Sequence, residues 1–105
     1  MVRFLAVRFG PYLKRVRLGA GLTQLELAKK CGLSSAYVTQ LETGRIEPPT
    51  RKVCYCLARA LGLHGDEVWK QAFIARAERW LKKEGFKGLS PEAVSNFFDV
   101  LNSRQ

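Results

Sequence analysis

Residues 21–49 read GLTQLELAKKCGLSSAYVTQLETGRIEPP, and their punctuation decides the fold. Thr23, followed three residues later by Glu26, has the pattern of a capping box, so a helix starts there. Leu25, Leu27 and Ala28 supply its apolar positions, and Gly32 stops it after Cys31. Ser34 then caps the next helix, and Gly44 suits its left-handed end. Only Cys-Gly-Leu at 31–33 links the two, which predicts a tight turn. With about 100° per residue, Val38 and Leu41 define the buried side of 34–43, with Ser34 and Glu42 flanking it. Ala36, Thr39, Gln40 and Thr43 point the other way, with Ser35 toward the edge.

That outward face carries no charge, in a chain with 18 Lys and Arg. A solvated helix face usually carries Lys and Glu. Small side chains instead let a helix approach the major groove of DNA closely. Gln can pair with adenine, Ser and Thr can hydrogen-bond base edges, and an Ala or Thr methyl can touch a thymine methyl. Charge belongs on the flanks, where phosphates run. The alternative is a merely polar surface.

The charge distribution supports an anionic partner. Residues 1–59 hold 11 basic and 3 acidic side chains, and residues 60–105 hold 7 and 6. Nearly all of the net +9 therefore sits in the first half, which favours nucleic acid first and a membrane surface second. Lys14, Arg15, Lys29 and Lys30 are candidates to face it or simply solvated charges. Arg51 and Lys52 open a helix, where cations oppose the dipole, so a nearby phosphate would account for them.

The remaining elements are helices too. Phe9, Leu13 and Val16 form a stripe opened by Gly10-Pro11 and closed by Gly19-Ala20-Gly21. Val53, Cys54, Leu57, Ala58 and Leu61 share one face of a helix from about 50 to 61. A fifth helix starts near Asp66 and extends toward Lys83, with Trp69 and Phe73 as core. Ser90-Pro91 opens a short sixth, on which Val94, Phe97, Phe98 and Leu101 recur at helical spacing. The expected fold is all-α, and its 105 residues make one domain. No apolar run approaches the roughly 18 residues of a membrane span, and the N-terminus makes a weak leader, so the expected location is cytoplasmic.

Catalysis is not expected. There is no His/Cys/Ser cluster, phosphate-cradling glycine loop or paired-carboxylate site, and no cofactor is implied. Cys54 and Cys56 lie about 200° apart on a helix and cannot share a metal. The cysteines read as reduced, apolar packing groups, and His64 as a loop residue before a helix.

The 21–49 stretch resembles the Cro/repressor (XRE-type) helix-turn-helix family. The Thr-Gln start, the Leu-Ala pair, the turn Gly, Leu-Glu-x-Gly and the following Pro stand in the family's order. The likeness covers about residues 9–75, with LARALGL at 57–63 matching the fourth helix. It implies a five-helix lambda-repressor-like domain with a short C-terminal helical extension. The chain then divides into an N-terminal extension at 1–8, the DNA-binding domain at 9–78 and the extension at 79–105.

The resemblance also implies roles. Gln24 matches a position that contacts DNA backbone or base edges, and Ser35, Ala36 and Gln40 match base-reading positions, with Thr39 beside them. Thr43, Gly44 and Arg45 match a phosphate-gripping loop, to which Arg51 and Lys52 are close in sequence. Arg17 and Glu42 match a structural salt bridge. Tyr37 departs from the family's smaller residue; it packs beside Leu41 or reaches a phosphate. Family members usually bind double-stranded DNA as homodimers on inverted repeats. Trp80, Phe97, Phe98 and Leu101 are the candidate dimer interface, unless the tail folds back onto its own domain. Residues 1–8 read as a packed extension in preference to a DNA arm or a strand pairing across a dimer. The implied function is a nucleoid-associated transcriptional repressor; a protein-interaction module, such as an antitoxin or adaptor, is the alternative.

Overall fold

The computed structural model describes residues 8–85 and 91–103. Among them every regular element is a helix: α1 (Phe9–Gly19), α2 (Gln24–Cys31), α3 (Ser35–Thr43), α4 (Arg51–Leu61), α5 (Gly65–Lys83) and α6 (Pro91–Ser103). This is the five-helix helix-turn-helix arrangement with a C-terminal helical extension. Residues 1–7, and with them most of the N-terminal extension, lie outside the described residues.

Local signals set the boundaries. The Thr23 hydroxyl accepts from the Glu26 amide while the Glu26 carboxylate accepts from the Thr23 amide, which completes the capping box. Ser34 and Thr50 cap α3 and α4 by accepting from the amides three residues on. Gly32, at φ 69°, turns the chain from α2 into α3, a conformation that carries no steric cost only for glycine. The His64 ring, at the N-cap of α5, accepts from the Asp66 amide.

The core gathers one face from each of the first five helices. Leu13, Leu27, Val38, Cys54, Leu57 and Val68 are its largest fully buried side chains. Cys54 behaves as a small apolar group, and burial pushes its thiol up to about 12. Two expectations need correction. Leu25, read as an apolar position of α2, is 53% exposed, because it stands about 160° round the helix from Leu27. Trp69 and Phe73 are half-buried, at the edge of the core. Helix α1 meets the end of α3 so closely that a Cβ at Gly10 would lie 2.9 Å from the Leu41 carbonyl oxygen.

Helix α5 runs unbroken through residues 78 and 79, then the chain returns with α6 against it. Phe98 and Val94 are buried in that contact, with the Phe98 ring edge-on to Phe73 at 5.1 Å. Lys70 joins Asp99 at 3.1 Å across the same seam. Phe98 was expected at a dimer interface, but it is consumed within the chain, because it falls on the α6 face turned to α5. Trp80, Phe97 and Leu101 are exposed, as is Val100.

Candidate nucleic-acid interface

Helix α3 buries Val38 and Leu41, which turns Ser35, Ala36, Thr39, Gln40 and Thr43 outward. All five are exposed, and none carries charge. The helix is fixed from behind by polar contacts as well as by apolar packing. Arg17 of α1 grips Glu42 with two parallel bonds, Nε to Oε2 at 2.6 Å and Nη2 to Oε1 at 3.0 Å. Its third nitrogen donates to the Leu22 carbonyl at 2.9 Å. The two side chains are 8% and 3% exposed, so the pair is desolvated and bidentate. The Glu42 hydrogen bond raises the Arg17 pKa further above its ordinary value.

The network continues outward through Gln24. Its Nε2 donates to Glu42 Oε1 at 2.9 Å, and its Oε1 accepts from the Thr39 hydroxyl at 2.7 Å. The amide has only one workable orientation, because a carboxylate can only accept. The role expected of Gln24 is a contact with DNA backbone or base edges. Its carbonyl oxygen and one N–H are engaged by the protein, which leaves the amide one N–H and one lone pair. Leu18, Leu22 and Leu25 form apolar walls of a groove beside Gln24, Ser35 and Thr39.

The other expected contacts divide. Thr43 donates its hydroxyl back to the Thr39 carbonyl at 3.0 Å. Gly44 closes α3 at φ 76°, and the exposed Arg45 follows it. Tyr37 packs against the core, and burial raises its hydroxyl pKa. Arg51 lies over the Tyr55 ring at 5.5 Å and donates to its hydroxyl. This aromatic contact already accommodates the cation at the start of α4. Lys52 is exposed.

Residues 8–70 match the helix-turn-helix domain family. The chain belongs to that family. A similar protein is the uncharacterized HTH-type transcriptional regulator y4dJ of Sinorhizobium fredii (strain NBRC 101917 / NGR234). The two are 41% identical over 59 residues, which is 56% of this chain and 75% of that protein. Among solved structures, the clp gene regulator ClgR from C. glutamicum is similar at 30% identity and a TM-score of 0.54, over 68% of this chain and 91% of that one. A second ClgR structure from Corynebacterium glutamicum gives 27% identity and a TM-score of 0.56, covering 78% and 86%.

Two residues of this helix-turn-helix protein were not anticipated. Arg76 donates to the Pro48 carbonyl at 2.8 Å, and Arg79 to the Gly44 carbonyl at 3.4 Å. Arg79 also meets Glu47 at 3.4 Å. They tie the loop after α3 to α5. The signal was present in Glu-Pro-Pro at 47–49: two prolines remove amide donors, so the loop's carbonyls need side-chain partners. Among the described residues, no group of His, Cys, Asp or Glu is placed to hold a metal, and no helix is long and apolar enough to cross a membrane.

Proposed function

We propose that this protein is a sequence-specific DNA-binding transcriptional regulator, acting as a dimeric repressor that occludes a promoter at an inverted repeat. The carrying observation is the outward face of α3, small and uncharged, braced by a buried ion pair on a strongly basic half-chain. Helix α3 enters the major groove, where Ser35, Ala36, Thr39 and Gln40 meet base edges. Arg45 and Lys52, in and beside the loop that Gly44 opens, meet phosphates. Family membership and the similarity to transcription regulators support this reading. Such a regulator works beside the chromosome, in the cytoplasm.

Selection of fragmented genomic DNA by the purified protein at physiological salt tests the proposal. Enrichment of one inverted repeat is the expected result. Salt-sensitive binding without enrichment points instead to a protein-interaction module on the same fold. On the selected site, Gln40→Ala should cost about 1–3 kcal/mol in binding and relax preference at one base pair. An unchanged preference measured by competition would remove Gln40 from base reading.

The dimer is assigned to the α5–α6 end, where Trp80, Phe97 and Leu101 expose large apolar surface. Phe97→Ser should shift the dimer toward monomer by at least tenfold in dissociation constant, read by light scattering across a dilution series. Phe97 is 56% exposed, so the helical content should stay that of the wild type. A wild type already monomeric at micromolar concentration removes the dimer.

A further inference from the structure

We propose that Thr39 determines specificity by reading a thymine through its methyl group, with its hydroxyl turned to structural use. The inference rests on the DNA-binding reading and goes further, by naming the base feature that one side chain recognises.

The hydroxyl of Thr39 has a single proton, and two protein acceptors compete for it. Gln24 Oε1 lies at 2.7 Å and the Ser35 carbonyl oxygen at 3.0 Å. Neither acceptor is adaptable. The Ser35 carbonyl belongs to the α3 backbone. Gln24 Oε1 is held in place because its Nε2 is committed to Glu42, and Glu42 is clamped by two bonds from Arg17. A chain of four side chains, starting at a buried guanidinium, thus ends by drawing the Thr39 proton inward. Thr39 is nevertheless exposed on the outward face. It has no proton left for thymine O4, guanine O6 or N7.

Thr39 still offers its methyl group and the lone pairs of its hydroxyl oxygen, and its neighbours share the apolar character of the methyl. Ala36 lies one turn earlier on the same face, and Leu25 lines the same groove as Thr39 while 53% exposed. The only feature of a base edge that rewards an apolar contact in the major groove is the C5-methyl of thymine.

The test replaces each thymine of the selected site, one at a time, with deoxyuridine, which removes the methyl and keeps every hydrogen-bonding group. Wild-type protein should lose about fourfold in affinity at one such position, the worth of one buried methyl. Thr39→Ser keeps the hydroxyl and its bond but lacks the methyl. It should bind the thymine site about fourfold more weakly and be indifferent to deoxyuridine there. Thr39→Val keeps the methyl and lacks the hydroxyl; it should retain the wild-type discrimination. The reverse pattern, with serine discriminating and valine failing, overturns the proposal. So does a site at which no thymine methyl depends on residue 39. Failure to select any DNA site overturns the DNA-binding reading, and this inference with it; specific binding without methyl dependence overturns this inference alone.

Discussion

Glu42→Ala is expected to lower the unfolding free energy by about 3–5 kcal/mol, because it leaves the Arg17 charge buried and unpaired. For a domain of this size that is a fall of roughly 15–30 °C in Tm. The loss exceeds that of an ordinary surface bridge, worth about 0–1 kcal/mol, because neither partner can recover its hydration while α1 and α3 stay packed. Gln24 loses its anchor in the same step, so DNA affinity should fall even below the melting temperature. Chemical denaturation of wild type and variant gives the free energy directly. The double variant Arg17→Leu/Glu42→Leu should be less destabilised than either single change, since it removes the orphaned charge. A single variant within 1 kcal/mol of wild type would show that water reaches the pair.

Gly10→Ala should destabilise by about 3 kcal/mol, at the upper end for overpacking. The usual expectation has the opposite sign, since alanine in a helix is favoured over glycine by up to about 1 kcal/mol. Geometry decides here. The added carbon would lie 2.8 Å from the Glu42 carbonyl carbon and 2.9 Å from the Leu41 carbonyl oxygen. These are backbone atoms at the end of α3 and cannot rotate aside. Gly19 supplies the control: nothing lies within 4 Å of its added carbon, so Gly19→Ala should be neutral or mildly stabilising. Equal melting temperatures for the two variants would contradict the close α1–α3 approach.

The helices were legible because their ends are chemically marked. Thr23, Ser34 and Thr50 cap, glycines at 32, 44 and 62 close, and the apolar spacing between them leaves little choice. The Arg17–Glu42 contact was also visible, since Glu42 is the lone charge of α3 and borders its buried side. Periodicity could not distinguish Phe97 from Phe98, adjacent residues about 100° apart, until α5 fixed which side of α6 is covered. Nor could it show where hydroxyl protons go. Ser, Thr and Gln on one face look equally able to read bases, and only the distances reveal that Thr39, Thr43 and Gln24 answer to the protein first. Glu-Pro-Pro marks the 44–49 loop as needing side-chain partners, but Arg76 and Arg79 lie about 30 residues away in sequence, so no local pattern could name them.

Helix α5 is a single rod of 19 residues, about 28 Å long. Arg76 and Arg79 fasten the loop beside the recognition helix to it, and Phe73 and Lys70 fasten α6 to the same rod. Among the described residues, the surface proposed for pairing and the loop proposed for DNA are therefore fastened to one and the same helix. A load applied to α6 would reach Gly44 and Pro48 through α5 and these side-chain contacts. Two such subunits brought together would set the spacing of their reading helices as a fixed length, as a calliper does.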